Sequence, residues 1–149
     1  MRIALLALHF AEYASQLALG LSDQHEVLLV LRSSNARNEL TDDLRAQLDK
    51  KVTVRFLEPR RMRDPRILGT VLQLNRILRD FSPEVLHIQE VHPVLVGWTF
   101  LSFRRRIPVL ITVHDPVHHS GGLSKHGWLG TGGEHGRGRR HRDQEADAL

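Results

Sequence analysis

The run IALLAL at residues 3–8 is followed by VLLVL at residues 27–31, and neither run contains a charged side chain. Strands of a parallel sheet are covered by helices on both faces, so they read as continuous apolar runs rather than as alternating ones. Three more short runs rich in Val, Ile and Leu occur further along the chain. We therefore predict five strands, at residues 3–8, 27–31, 52–57, 85–88 and 109–113.

The segments between these runs have helical periodicity. Asp64 and Pro65 are typical of an N-cap and a first helical position, and a fourth helix is expected from Pro93 to the arginines at 104–106. Alternation of strands and helices indicates an α/β fold with a doubly wound parallel sheet of about five strands, and right-handed crossovers favour the order 3-2-1-4-5. The predicted apolar stripes are Tyr13, Leu17 and Leu21; Leu40, Leu44 and Leu48; and Ile67, Val71, Leu74, Leu78 and Phe81.

The composition changes abruptly near residue 120. Eight of the eleven glycines lie in residues 121–149, and no apolar periodicity is present there. Such a segment cannot bury enough apolar surface to offset the entropy lost on ordering. We predict one folded domain at residues 1–120 and a disordered Gly/Arg/His-rich tail at residues 121–149.

Composition and charge argue against several classes of protein. The absence of cysteine excludes disulfides and thiolate metal sites. Residues 1–120 hold 16 basic against 13 acidic side chains and residues 121–149 hold 5 against 4, so neither part is a nucleic-acid-binding domain by charge. The N-terminal apolar run is too short and has the wrong flanks for a signal peptide, and the run at 91–103 is too short to cross a bilayer. We expect a cytoplasmic protein.

Polar side chains follow three of the predicted strands. In an open parallel sheet, ligands bind beyond the carboxyl ends of the strands, near the point where the strand order reverses. The histidines of this chain do not have the spacing of a metal site on a helix, so no metal or other cofactor is expected. The candidate site residues are His9 and Phe10 after the first strand, Gln89 and Glu90 after the fourth, and His114, Asp115 and His118 after the fifth.

Three segments together resemble the N-terminal domain of family 4 glycosyltransferases: LALGLSDQHEV at 17–27, SPEVLHIQ at 82–89 and PVLITVHD at 108–115. They match in order the family's GHEV ahead of the second strand, its PDVVHxH-like fourth strand and its PVVxTxHD fifth strand. The resemblance covers about residues 1–120. It implies half of a GT-B architecture, in which two Rossmann-like domains face a cleft.

The resemblance implies retaining transfer of a sugar from a nucleotide-sugar donor to a sugar or lipid-linked acceptor. The N-terminal domain would mainly receive the acceptor through the other six candidate residues. His114, the candidate catalytic residue, would lie near the transferring sugar, where it would hydrogen-bond hydroxyls or steady developing charge. The other interpretation of His114 is a structural one, as a residue that satisfies backbone groups at the end of the strand.

This chain departs from the family pattern in three places. Gln24 stands where the family's GHEV motif has glycine. The loop after the first strand lacks the family's glycines and reads HFAEY at 9–13. No segment after Ser120 resembles the family's C-terminal domain, which carries the nucleotide site and a pair of glutamates that hold the donor. We therefore expect an apparently truncated chain that does not bind donor and lacks activity alone, with residues after about 120 representing an aberrant read.

Other interpretations remain open. A non-catalytic Rossmann-like module that binds a small ligand or a partner protein is the main alternative. A dinucleotide oxidoreductase is disfavoured because no Gly-x-Gly-x-x-Gly follows the first strand. The arginines at 60, 61, 63 and 104–106 either face solvent or contact anionic lipid head groups. The helix with Trp98, Phe100 and Phe103 either packs on the sheet or lies against a membrane at its periphery.

Overall fold

Strands and helices alternate along the computed structural model, which describes residues 1–60, 63–89 and 93–112. These residues belong to one compact unit, Met1–Pro116. The strands are β1 (Arg2–Ala7), β2 (Glu26–Arg32), β3 (Thr53–Leu57), β4 (Val85–Ile88) and β5 (Val109–Ile111). The helices are α1 (Ala11–Ser22), α2 (Ser33–Glu39), α3 (Asp42–Lys51), α4 (Ile67–Phe81) and α5 (Pro93–Phe103).

The five strands form one parallel sheet in the order β3-β2-β1-β4-β5. This confirms the predicted α/β fold, the doubly wound sheet and the strand order. The centre of the sheet is β1, which pairs with β2 from Arg2 opposite Glu26 and with β4 from Ile3 opposite Val85. Four of the strands begin and end within one residue of the predicted bounds, whereas β5 stops at Ile111.

Two apolar cores lie on opposite faces of the sheet, because successive side chains of a strand point to opposite faces. Leu5 of β1 packs in the core that contains residues of α1, α2 and α3. Its neighbour Leu6 packs in the core that contains residues of α4 and α5. Both leucines are fully buried. The strand β1 is therefore covered on both faces, as its continuous apolar run predicted.

The buried face of α1 differs from the predicted one. Tyr13 is 54% exposed, and the residues that face the sheet are small: Ala11, Ala14, Ser15 and Ala18. Small side chains let the helix backbone approach the strands closely, whereas the longer Leu17 and Leu21 reach the same core from its side. The prediction that Tyr13 lies in the buried stripe was wrong.

The second predicted helix is divided in two. Leu40 is the C-terminal cap of α2, where the backbone turns extended, and Thr41 caps α3 by accepting a hydrogen bond from the Leu44 backbone N–H at 3.3 Å. The stripe of Leu40, Leu44 and Leu48 is nevertheless buried. These three side chains lie in one core although they come from two elements.

The start of α4 also differs from the prediction. Asp64 Oδ1 accepts from the Arg66 backbone N–H at 2.9 Å, and the Asp64 carbonyl accepts from the Ile67 N–H at 2.9 Å. Asp64 and Pro65 thus form a tight turn ahead of the helix, which begins at Ile67. At its other end, Ser82 adopts a left-handed conformation with φ of 51°. The helix ends before Pro83, as predicted.

Candidate functional site

The reversal of strand order lies between β1 and β4. The chain leaves β1 towards β2 and β3 on one side, and β4 leads to β5 on the other. In open parallel sheets, ligands bind in the crevice outside the carboxyl ends of the strands at such a switch point. His9 and Phe10 follow β1, and Gln89 follows β4, its backbone N–H donating to the Leu6 carbonyl at 2.8 Å. Three of the predicted site residues thus reach the same edge.

Phe10 occupies a backbone conformation that suits glycine. Its φ and ψ are 54° and 51°, in the left-handed region, and it is the residue that precedes α1. Its carbonyl accepts the first α-helical hydrogen bond, from the Ala14 N–H at 3.0 Å. The chain therefore makes here the turn for which glycine is usually required, but with an aromatic ring that is 50% exposed at the rim of the crevice.

Gln89 is the polar residue that is buried at this edge. It is 2% exposed, and both Nε2 and Oε1 are shielded from solvent without a hydrogen-bond partner. Leaving a buried polar group unpaired costs about 1–3 kcal/mol. A carboxamide that faces this cost in the ligand-free chain, at the switch point of the sheet, has the chemistry to donate to and accept from one ligand.

Two carboxylates stand at the N-terminus of α1. Glu12 lies in the first turn of the helix, and Oε2 of Glu39, at the end of α2, accepts from the Glu12 backbone N–H at 3.4 Å. A helix N-terminus favours anions, and here the anions are the carboxylates of Glu12 and Glu39. This end of α1 consequently offers hydrogen-bond acceptors to a ligand and repels a phosphate group.

A charged cluster joins the ends of β2 and β3. Arg32 Nε donates to Glu58 Oε1 at 2.8 Å, and the Ser34 backbone N–H donates to Glu58 Oε2 at 3.3 Å. Partial burial raises the pKa of Glu58, but the hydrogen bonds from Arg32 and Ser34 and the charge of Arg32 outweigh it and hold that pKa below its ordinary value. This cluster was not predicted from the sequence, although a charged residue directly after each of two predicted strands was a signal for it.

A polar contact also joins β4 to the end of β5. His87 Nε2 and Thr112 Oγ1 lie 2.8 Å apart, and the Thr112 backbone N–H donates to the Ile88 carbonyl at 2.9 Å. Thr112 thereby continues the pairing of the two strands for one residue beyond β5.

Several predictions fall outside the described residues. They are the site residues Glu90, His114, Asp115 and His118 and the disordered tail at 121–149. In the part of the chain that the structure describes, no group of three or more His, Cys, Asp or Glu side chains is arranged to hold a metal ion. Within the same residues no helix is long and apolar enough to cross a membrane.

The sequence matches one family model, described as Glycosyltransferase Family 4, over residues 11–144. The match begins at α1, so it includes strands β2 to β5 but not β1. It runs past the change in composition near residue 120. No curated protein matches the chain significantly.

Proposed function

The chain belongs to glycosyltransferase family 4, and from this membership we propose that residues 1–120 form the acceptor-binding half of a retaining glycosyltransferase of the GT-B architecture. The crevice between the loops after β1 and β4 receives the acceptor, a sugar or a lipid-linked sugar. The nucleotide-sugar donor is bound by a second Rossmann-like domain.

The observation that carries this proposal is the buried, unpartnered carboxamide of Gln89. Sugar hydroxyls both donate and accept hydrogen bonds, as a carboxamide does. A ligand hydroxyl that reached Gln89 would satisfy groups that are unpaired in the ligand-free chain. The hydrogen bonds to Gln89 form only when the ligand binds, so their free energy contributes to affinity and to selectivity for a hydroxyl-bearing ligand.

The charges near α1 support an acceptor rather than a donor at this edge. A nucleotide diphosphate bound at the N-terminus of α1 would meet the carboxylates of Glu12 and Glu39. A sugar hydroxyl would instead donate to them. The Phe10 ring adds an exposed apolar surface at the rim, and aromatic rings of this kind pack against the apolar faces of pyranose rings.

The roles of the remaining residues are part of the proposal. His114, which follows β5, hydrogen-bonds the transferring sugar or steadies charge that develops on it. His9, Glu90, Asp115 and His118 complete the acceptor site. We propose a cytoplasmic location and contact with a membrane at its periphery, and we propose neither a metal nor another cofactor.

Thermal titration of the full chain tests which ligand the edge binds. A ligand that binds only the folded state raises the melting temperature. We expect no shift with UDP, GDP, UDP-glucose or GDP-mannose, and a saturable shift with at least one of glucose, galactose, mannose or N-acetylglucosamine. A saturable shift with a nucleotide diphosphate would overturn the acceptor assignment. No shift with any sugar would favour the alternative, a non-catalytic Rossmann-like module. The absence of glycine from the loop at residues 9–13 also supports that alternative.

Gln89→Met separates binding from folding. Replacing a buried unpaired amide by an apolar side chain of similar length should raise the free energy of unfolding by about 1 kcal/mol and abolish the shift with sugar. Asn75→Leu is the matched control, since Asn75 Oδ1 is also buried and unpartnered but lies in the middle of α4. We expect it to leave the sugar shift intact. Equal loss in both variants would remove Gln89 from the site.

A further inference from the structure

The outer faces of α4 and α5 carry large exposed apolar side chains. Leu68 and Leu72 of α4 are 54% and 59% exposed, and Trp98 and Leu101 of α5 are 48% and 62% exposed. Each pair is one helical turn apart. Leu72 and Trp98 line the same depression, of about 310 Å³, between the two helices. Leu68 and Leu101 lie one turn away from these two, and we term the four side chains the α4–α5 patch.

The inner side of α5 shows that this surface is additional to the core. Leu95, Thr99 and Phe103, at four-residue spacing, are buried against the sheet. The prediction that the helix packs on the sheet is thus correct for Phe103, while Trp98 and Leu101 on its other side need no contact with the sheet. A helix that is apolar on all sides is usually covered on all sides. Among the described residues, the sheet covers one side of α5.

The opposite helix layer has no such patch among its described residues. In α1, α2 and α3, Tyr13 is the one large apolar side chain that is strongly exposed. Isolated exposed apolar residues are normal on a protein surface, whereas several together mark an interaction site. The two faces of this domain therefore differ in what they present to the surroundings.

Charge is distributed with the same asymmetry. The helices α4 and α5 and the turn at 104–106 hold five arginines against the single carboxylate of Asp80. The other layer, α1 to α3, holds four basic against five acidic side chains. The apolar patch is thus bordered by an excess of positive charge, while the opposite layer is slightly negative.

The arginines beside the patch are available to a partner. Arg76 is 85% exposed, and its 3.8 Å contact with Asp80 is a surface pair of the kind that contributes little. The Arg104 guanidinium lies 5.7 Å from the centre of the Phe100 ring, which holds it at the surface. These groups can reach phosphate oxygens without breaking a buried interaction.

We propose that the α4–α5 patch docks the chain on a membrane surface that carries anionic phospholipids. Leu72, Trp98 and Leu101 enter the boundary between head groups and acyl chains, where tryptophan is favoured, and the arginines bind lipid phosphates. This gives a surface and a lipid class to the membrane contact proposed above. It does not depend on sugar binding at the other edge, so the two proposals fail separately.

Vesicle sedimentation tests the charge requirement. The full chain is expected to bind vesicles of phosphatidylcholine with phosphatidylglycerol, and to bind pure phosphatidylcholine much more weakly. Each arginine contributes about fivefold, so Arg105→Ala with Arg106→Ala should weaken binding about 25-fold. The matched control is Lys50→Ala with Lys51→Ala on α3, which removes the same charge from the opposite layer and should leave binding unchanged. An equal loss in both double variants would overturn the proposal.

The apolar requirement is tested with Leu72→Ser, Trp98→Ser and Leu101→Ser combined, against Tyr13→Ser. All four side chains are exposed, and circular dichroism melting verifies that the variants fold. We expect the triple variant to lose binding and Tyr13→Ser to retain it. Undiminished binding by the triple variant would place lipid contact elsewhere on the chain. If the wild-type chain self-associates and does not bind lipid, and the triple variant no longer self-associates, the patch binds a second copy of the chain instead.

Discussion

Phe10 combines a left-handed backbone with a side chain that has a Cβ atom. For residues other than glycine this conformation costs about 1–2 kcal/mol. We expect Phe10→Gly to be more stable than Phe10→Ala by about 1 kcal/mol, because both variants remove the ring but alanine keeps the strained Cβ. Chemical denaturation of the two variants measures this difference.

Tyr13, three residues later, is the control for this comparison. It is exposed to a similar extent but lies within α1, where alanine is favoured over glycine by about 1 kcal/mol. The order of stability should therefore reverse, with Tyr13→Ala above Tyr13→Gly. Alanine above glycine at both positions would contradict the left-handed conformation of Phe10.

Glu58 gives the domain a pH-dependent contribution. Its folded-state pKa lies below the ordinary 4.5, so the fold stabilises the ionised carboxylate. This contribution is complete above about pH 4.5 and is lost as the pH falls through the lower, folded-state pKa. We expect Glu58→Gln to reduce stability at pH 7 by less than about 1 kcal/mol, since Glu58 is half-exposed, and to have no such effect at about pH 2.

Unfolding curves at several pH values measure this difference. Arg32→Met should reproduce the loss at pH 7, because it removes the guanidinium that donates to Glu58 Oε1. A deficit for Glu58→Gln that persisted unchanged at about pH 2 would point to lost packing rather than to lost charge.

At the scale of the helices, Thr41 separates α2 from α3. Its Oγ1 accepts from the Leu44 N–H, and Asp42 and Asp43 follow in the first turn. Thr41→Ala should destabilise the domain by about 1 kcal/mol, whereas Thr41→Ser keeps the acceptor and should cost much less. Equal melting temperatures for the two variants would show that the cap contributes nothing.

Helix boundaries were harder to predict from the sequence than helix positions. The Leu40, Leu44 and Leu48 spacing indicated a buried helical stripe, and all three side chains are buried. The spacing is unchanged if a break occurs between Leu40 and Leu44, so periodicity alone could not reveal it. In α1 the stripe of large residues misled the prediction, because the small residues between them form the contact with the sheet.

At the scale of the whole molecule, two cores share one sheet. Leu48 of α3 and Leu78 of α4 are each 2% exposed or less, on opposite faces. Leu48→Ala and Leu78→Ala should each cost about 2–5 kcal/mol. Because β1 and β2 contribute to both cores, we expect a single unfolding transition in each variant, coincident by circular dichroism and by Trp98 fluorescence in a Trp128→Phe background. Two separate transitions would show that the layers unfold independently.

The topology and the edge that carries the site could be predicted because they follow from chain order and the handedness of crossovers. The pattern of polar residues after strands indicated that His9, Phe10 and Gln89 lie at the carboxyl edge of the sheet, while their role in binding stays a prediction. The sequence could not show that Gln89 is buried without a partner, or that Glu39 reaches α1, because both depend on packing between distant segments. The charged residues at the ends of two strands pointed to the Arg32–Glu58 pair, but the contact itself joins residues 26 apart and depends on the pairing of β2 with β3.

The central strand β1 also sets an order of events during synthesis on the ribosome. One edge of β1 pairs with β2 early, but the other waits for β4, which lies more than 80 residues along the chain. At about 5–20 residues per second, the 56 residues from Arg32 to Ile88 take roughly three to eleven seconds to emerge. Throughout that interval the nascent chain presents an unpaired apolar strand edge, which makes it a client for chaperones before it is a finished domain.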